Sequence, residues 1–263
     1  MMGRLPIAKM LAATVALTVV MSVVMVSINW DGQEASTAAP KIDQLLDVMI
    51  VISSFVFSLV MVMLFYALWK FKAKPGDESD GEPIHGNTRL EVAWTLIPTI
   101  IVLFGAGYSW SVLNDIEEKA QNPIKVQVFA QQFAWSFGYP GKGNVWSNDE
   151  LHVPLNRQVE FKMHAQDVIH SFWVPEWRIK KDAVPGITTT AVVTPDKAGT
   201  YQLICTELCG FGHATMRAKV VVEPPAKFRE WVSTLKEEVP EQLEESVVQD
   251  SEANPTPVGA GGA

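Results

Sequence analysis

Three long apolar runs limit the folds open to this chain of 263 residues. They extend over residues 10–28, 45–69 and 92–113. A helix needs about 20 apolar residues to cross a hydrocarbon core of roughly 30 Å, so each run is long enough. The second run contains one charge, Asp47, and the third contains none. We therefore expect a transmembrane hairpin within residues 41–121.

The first run allows two interpretations. Arg4 and Lys9 precede it, and the small-residue segment EASTAA (34–39) follows it, as in a cleavable signal peptide. Its apolar part is longer than a usual signal core, which is typical of a retained helix. Residues 1–40 are thus either a signal peptide or a first transmembrane segment, with an outer linker, and the chain has two or three transmembrane helices.

Basic residues indicate the orientation of the hairpin. The loop after the second run carries Lys70, Lys72, Lys74 and Arg89, whereas residues 29–44 carry a single Lys. Lys and Arg accumulate on the cytoplasmic side of a membrane. We expect this loop to be cytoplasmic and everything after the third run to lie outside, in the periplasm or the extracellular space.

The net charge of −8 does not describe the outer part of the chain. Residues 126–224 contain nine acidic and nine basic side chains, while the tail after Pro225 contains eight acids and three bases. This balance of charges argues against nucleic acid as a partner. The lipid membrane, which the apolar runs require, is the first expected partner. The acidic tail, residues 225–263, is expected to be largely disordered, although KFREWVSTLKEE could form a surface helix.

Residues 122–224 show the alternation of apolar and polar residues that is typical of strands. It is clearest in KVQVFAQQFAWSFGYP, RQVEFKMHA, TTTAVVTP and MRAKVVVEP, and turn sequences such as AVPG and DKAG separate the runs. Short strands with regular turns over about a hundred residues predict an antiparallel sandwich or a small barrel.

The segment CTELCGFGHATM, residues 205–216, contains both cysteines of the chain. Outside the cytoplasm a disulfide between them is a serious alternative. Zinc is another, but CxxxC followed by His and Met is not its usual spacing. Thiolate, thioether and imidazole together favour copper, and two thiolates can bridge two copper ions.

A pair of coppers needs a second imidazole besides His213. His85 is in the cytoplasmic loop, and His152 and His164 are more typical of surface or strand positions. His170 lies in DVIHSFWVP, where apolar and aromatic neighbours would exclude water. A lone histidine there is usually a core residue, but with a copper set downstream it is the best candidate.

The hairpin, HSFWVP and CTELCGFGHATM together resemble subunit II of haem–copper cytochrome c oxidase, over about residues 40–224. The resemblance implies a cupredoxin-like Greek-key sandwich at residues 122–224 that holds the binuclear copper centre CuA. It implies bridging by Cys205 and Cys209, terminal ligation by His170 and His213, and completion by Met216 and the carbonyl of Glu207. It also implies magnesium at the Glu207 side chain, where subunit I makes contact.

The same resemblance assigns roles outside the copper ligands. QQFAWSF is similar to the family's aromatic stretch, so Phe133 or Trp135 is expected to receive the electron. Asp167 matches an acid that docks cytochrome c, although the neighbouring acid is replaced by Gln166. Glu91 matches a residue at the mouth of a proton channel into subunit I. The simpler interpretation of Phe133 and Trp135 is that they are alternating core residues of a strand. The simpler interpretation of Glu91 is an acid that the helix dipole favours at a helix N-terminus.

The resemblance implies the electron-accepting subunit of a proton-pumping terminal oxidase in a bacterial-type cell membrane. Its partners would be subunit I, with haem and copper, subunit III, and cytochrome c or another haem c donor. The alternative is a membrane-anchored copper-delivery protein, which would use the same soft ligands. The related centre of nitrous oxide reductase fits less well because of the hairpin, and quinol-oxidising relatives lack the copper ligands.

Overall fold

The computed structural model describes residues 6–30, 32–73, 75–76, 83, 85–139 and 145–236. These described residues divide into two compact units, one within residues 1–30 and 41–114 and one within residues 31–40 and 115–236. The expected disorder of residues 237–263 lies outside the described part of the chain. So does Lys74 of the loop that is predicted to be cytoplasmic.

In the part of the first unit that the structure describes there are three apolar helices, α1 (Ile7–Val26), α2 (Ala39–Lys70) and α3 (Thr88–Ile116). All three are long and apolar enough to cross a membrane. At about 1.5 Å per residue, their 20, 32 and 29 residues match or exceed a hydrocarbon core of roughly 30 Å. The predicted apolar runs are confirmed as helices, and their side chains are mostly exposed, as contact with lipid requires.

A polar cap sets the start of α3. The Asn87 side chain accepts hydrogen bonds from the backbone N–H groups of Arg89 at 3.1 Å and Leu90 at 3.4 Å. These bonds satisfy donors that the first helical turn leaves without a partner. Glu91 lies in this first turn, where a carboxylate is favoured by the helix dipole.

The described residues of the second unit form ten strands in two five-stranded sheets. The strands are β1 (Ile124–Gln131), β2 (Ala134–Tyr139), β3 (Val145–Asn148), β4 (Glu150–Pro154), β5 (Val159–Ala165), β6 (His170–Val174), β7 (Ile179–Ala183), β8 (Thr189–Val193), β9 (Gly199–Cys205) and β10 (Arg217–Glu223). The first sheet has the order β3-β2-β1-β5-β8 and the second the order β4-β10-β9-β6-β7. The predicted sandwich is confirmed.

Most neighbouring strands are antiparallel, but β1 pairs with β5 and β4 with β10 in parallel. The chain passes from β4 in the second sheet to β5 in the first without forming a hairpin. Only a tight hairpin forces antiparallel pairing, so a strand that arrives from the opposite sheet can run in either direction. The strand pattern in the sequence does not contain this information.

Side chains from both sheets meet in one apolar core. Val128 and Phe161 of the first sheet and Phe172 and Leu203 of the second are fully buried in the same cluster. The rings of Phe161 and Phe172 lie 5.1 Å apart and so join the two sheets. Burial of this kind contributes about 1.5–3 kcal/mol per large apolar side chain.

A short helix, α4 (Pro225–Thr234), closes one side of the sandwich. Trp231 of α4 stacks on His152 with ring centroids 3.7 Å apart and packs against Tyr139 at 5.4 Å. His152 Nδ1 in turn lies 2.7 Å from a Glu223 carboxylate oxygen. The first ten residues of the tail region are therefore helical and packed on the sandwich.

The linker before α2 also packs on the sandwich. The backbone N–H of Ala35 donates to the Glu176 carbonyl at 2.7 Å, and the Ser36 hydroxyl donates to the Trp177 carbonyl at 2.9 Å. Ala35, Ser36 and Ala39 are fully buried. Three of the six residues in the segment that resembles a cleavage site are thus buried in the folded unit.

Candidate metal centre

Strand pairing brings the candidate ligands together. Cys205 is the last residue of β9, and the eleven residues that follow, 206–216, form a loop that leads into β10. We refer to residues 206–216 as the ligand loop. His170 begins β6, which pairs with β9 so that Phe172 lies opposite Cys205. A residue 35 positions earlier in the chain is thereby placed beside the first thiol.

Backbone hydrogen bonds close both ends of the ligand loop. The Cys205 N–H donates to the Met216 carbonyl at 3.1 Å, and the Thr206 N–H donates to the Ser171 carbonyl at 3.1 Å. The loop also contains a short 3-10 turn from His213 to Thr215. The side chains of this loop are therefore held by the rigid strands on either side of it.

The two thiols are free and face each other, with 3.9 Å between the sulfur atoms. His170 Nδ1 lies 3.9 Å from Cys205 Sγ, and His213 Nδ1 lies 3.6 Å from Cys209 Sγ. Each sulfur atom therefore has an imidazole of its own. Met216 Sδ lies 3.8 Å from Cys209 Sγ, and the Glu207 carbonyl oxygen lies 3.4 Å from Cys205 Sγ.

Most of these donors are shielded from water. His170 and Met216 are fully buried, Cys205 and Cys209 are 3% and 4% exposed, and His213 is half-buried. The candidate donor atoms of His170, Cys205 and Cys209 all lie within 4.8 Å of one another, which is close enough to hold a metal ion.

The two thiols differ in acidity. Burial opposes ionisation of Cys205, but hydrogen bonds from His170 and from backbone N–H groups outweigh burial and lower its pKa from 9.0 to about 6. Burial and the negative charge of Cys205 raise the pKa of Cys209 to about 11. The site thus favours ionisation of Cys205 before Cys209, and a bound cation would favour the second thiolate.

The donor set fits copper better than zinc. Two thiolates, two imidazoles, a thioether and a carbonyl form a soft set that copper prefers, whereas thioethers are not normal zinc ligands. The thioether of Met216 is fully buried and turned toward Cys209. The residues of this site therefore fit a copper centre.

Asp167 orients one of the imidazoles. Its Oδ1 accepts a hydrogen bond from His170 Nε2 at 2.8 Å, and its Oδ2 accepts one from the Gln132 backbone N–H at 2.7 Å. Because His170 Nε2 bonds to Asp167, Nδ1 is the ring nitrogen that faces Cys205, as metal ligation through Nδ1 requires. Burial lowers the pKa of His170, but Cys205 and Asp167 outweigh it and raise the pKa. Sequence analysis missed this link, although an Asp three residues before a candidate ligand was a usable signal.

Comparisons with known proteins agree with both units of the chain. Residues 26–112 match the family described as "Cytochrome C oxidase subunit II, transmembrane domain", and residues 140–224 match "Cytochrome C oxidase subunit II, periplasmic domain". Cytochrome c oxidase subunit 2 from Synechocystis sp. is 33% identical in an alignment of 272 positions that covers 82% of this chain and 81% of that one. The chain belongs to the cytochrome c oxidase subunit II family.

Other members of the subunit II family are similarly related. Cytochrome c oxidase subunit 2 from Thermostichus vulcanus is 32% identical in an alignment of 253 positions that covers 76% of each chain. The crystal structure of the periplasmic domain of subunit II from Bradyrhizobium japonicum is 28% identical, covers 45% of this chain and 95% of that one, and has a TM-score of 0.42. The chain is therefore a membrane-bound subunit of an oxidoreductase complex with a periplasmic domain.

The two aromatic residues of the family's aromatic stretch have different environments. Phe133 is 39% exposed, and its ring lies against the ligand loop, since a Cβ atom built on Gly212 would be 2.5 Å from a ring carbon. Trp135 is fully buried, with its ring 6.2 Å from the His170 ring in an edge-to-face arrangement. Of the two, only Phe133 reaches the surface.

The two remaining predicted residues, Glu207 and Glu91, have exposed side chains. The Glu207 side chain is exposed, and only its carbonyl faces Cys205. Glu91 is exposed in the first turn of α3, which belongs to the other compact unit.

Proposed function

We propose that this chain is the electron-accepting subunit of a terminal respiratory oxidase. It would receive electrons from cytochrome c, or another haem c donor, at a binuclear copper centre and pass them to haem in subunit I, where oxygen is reduced to water. One observation carries the proposal: two buried thiols lie 3.9 Å apart, and each has its own imidazole within 4 Å.

In this proposal Cys205 and Cys209 would be shared thiolate ligands of the two coppers, His170 and His213 would each be a ligand of one copper, and Met216 and the Glu207 carbonyl would complete the donor set. The copper pair, when bound, supplies a one-electron redox site whose charge is spread over two ions. The protein excludes water from the thiols and holds the ligand loop between strands. A centre held in this way changes its structure little when its charge changes, which favours rapid electron transfer.

Phe133 is the better supported residue for electron input. Its ring is exposed on one side and touches the ligand loop on the other, so it can contact both a donor protein and the ligand segment. Trp135 would act as an inner residue because it is buried. Asp167 is 30% exposed and remains our proposed docking acid, besides its bond to His170.

Further roles follow from family membership. The exposed Glu207 carboxylate would reach magnesium at the contact with subunit I, and Glu91 would lie near the mouth of a proton channel into that subunit. Subunit III is a further partner. We place the copper domain on the outer side of a bacterial-type membrane, because the loop after α2 is rich in Lys and Arg.

Four segments divide these roles along the chain. Residues 1–40 would provide a signal peptide or first transmembrane segment with its outer linker, and residues 41–121 the transmembrane hairpin. Residues 122–224 would be the copper domain, and residues 225–263 an acidic tail.

Copper delivery is the rival function, and the metal content distinguishes the two. A delivery site should hold one Cu(I) per chain and give it up to a chelator. The proposed centre should hold two coppers per chain, retain them in the presence of a Cu(I) chelator, and be reduced by a reduced haem c protein. A single exchangeable Cu(I) that the haem protein cannot reduce would support delivery and contradict our proposal.

A further inference from the structure

The turn between β1 and β2 touches both segments that carry candidate ligands. This two-residue turn consists of Gln132 and Phe133. His170 itself begins β6 and pairs with Ala183 of β7, but residues 166–169 just before it are irregular, and so is the interior of the ligand loop. The positions of these irregular residues therefore depend in part on hydrogen bonds from neighbouring elements.

The side chain of Gln132 binds the ligand loop. Its Nε2 donates a hydrogen bond to the Cys209 carbonyl oxygen. Gly210 provides the space for this contact, since a Cβ atom built on Gly210 would lie 2.7 Å from Gln132 Nε2. The amide is thus fitted closely against the backbone that carries the second thiol.

The backbone of Gln132 binds the other ligand segment. Its N–H donates to Asp167 Oδ2 at 2.7 Å, while Asp167 Oδ1 accepts from His170 Nε2 at 2.8 Å. A second backbone donor, the N–H of Val168, reaches Asp167 Oδ1 at 2.7 Å and fixes the same carboxylate. One residue is thereby connected to Cys209 directly and to His170 through Asp167.

We propose that Gln132 is a positioning residue of the metal centre, which fixes the Cys209 backbone relative to the His170 imidazole. The inference rests on the proposed function. Because Gln132 is exposed, the alternative is that it contacts a partner protein. A positioning role differs from that alternative because it must be visible in the isolated chain, before any donor binds.

The first test uses the full chain in detergent without metal. Gln132→Ala removes the side-chain donor, and Gln132→Glu keeps the length but places an acceptor against the Cys209 carbonyl. The matched control is Gln202→Ala, which truncates an exposed glutamine of β9 whose side chain accepts a hydrogen bond from Arg217. The readout is the rate at which an aromatic disulfide reagent modifies the two thiols.

Both Gln132 variants should be modified faster than the wild type, the alanine variant by about five-fold, which corresponds to one ordinary hydrogen bond. Gln202→Ala should react at the wild-type rate. Equal rates for all four proteins would overturn the inference. Because Gln132 lies in an exposed turn, the unfolding midpoints of the variants should stay near that of the wild type, so faster modification reports local positioning.

A second readout uses chains loaded with copper alone. The electron paramagnetic resonance hyperfine couplings should change in both Gln132 variants and remain unchanged in Gln202→Ala. Wild-type couplings in the Gln132 variants would contradict the inference and leave the proposed function intact. A wild-type chain that fails to bind two coppers would contradict the proposed function, whereas the thiol rates would still test Gln132.

Discussion

The contact between Gly212 and Phe133 gives a quantitative prediction. A Cβ atom built on Gly212 would lie 2.5 Å from Phe133 Cδ2 and 2.6 Å from Cγ. Cγ lies at the base of the ring, so rotation of the ring cannot relieve this overlap and the whole side chain must move by about 1 Å. The backbone of Gly212, with φ −87° and ψ 7°, is open to alanine, so the overlap is the only cost of Gly212→Ala.

The size of that cost follows from the burial of Phe133. Overpacking costs about 1–3 kcal/mol. A ring that is 39% exposed could instead leave its site, and losing the burial of the remaining part, about 120 Å², costs about 3 kcal/mol at most. We therefore expect Gly212→Ala to lower the free energy of unfolding of the copper domain by about 1–3 kcal/mol.

A double-mutant cycle isolates this effect. In a Phe133→Ala background the overlap is absent, so Gly212→Ala should change the free energy of unfolding by less than about 0.5 kcal/mol or raise it slightly. Urea titration of the metal-free chain, with pulsed maleimide labelling of Cys205 and Cys209, reports on the copper domain alone, since the chain has no other cysteine. Gly210→Ala is the control, because its φ of +136° makes alanine costly in both backgrounds. An equal cost of Gly212→Ala in both backgrounds would refute the reasoning.

Three further predictions concern stability and the centre. The pKa of Glu150 is lowered from 4.5, mainly by Lys219, and the pKa of Asp182 is lowered from 3.8, mainly by Ser171. Both carboxylates therefore stabilise the folded state above about pH 5, and this stabilisation should be lost as the pH falls through the lowered pKa values. Measurement of the unfolding midpoint as a function of pH will show the loss. Met216→Leu should raise the midpoint potential of the copper-loaded chain, measured by redox titration, because the oxidised centre loses a donor; an unchanged potential would exclude the thioether as a ligand. Residues 35–39 should resist proteolysis until the copper domain unfolds, since Ala35, Ser36 and Ala39 are buried, and early cleavage there would show that the linker is not bound.

The transmembrane helices were predictable because side chains that contact lipid must be apolar. The apolar runs locate the parts of α2 and α3 that lipid would surround, but not their ends. α2 begins at Ala39, six residues before the second run, and α3 begins after a cap at Asn87. Polar residues that extend a helix beyond the membrane leave no hydrophobic signal.

The strands were predictable where one face is exposed. β10 alternates because Ala218, Val220 and Val222 face the core, and the sequence run MRAKVVVEP shows this. β6 does not alternate, since His170, Ser171 and Phe172 are all buried. Such a strand cannot be recognised from an alternation of apolar and polar residues, although it carries the candidate ligand His170.

The sequence motif predicts the part of the candidate site whose residues are adjacent, and the apolar neighbours of His170 single it out among the other histidines. One motif contains Cys205, Cys209 and His213, whereas His170 joins them through the pairing of β6 with β9. The contact between Gln132 and Cys209 spans 77 residues and depends on a turn in the opposite sheet. Long-range contacts of this kind leave no local pattern.

The most direct measurement is the electron paramagnetic resonance spectrum of the copper-loaded chain, recorded with a copper count on the same sample. We predict two coppers per chain and one unpaired electron whose signal is split by both nuclei. A signal split by a single nucleus, or a sample in which the thiols of Cys205 and Cys209 are joined and bind no copper, would contradict the account.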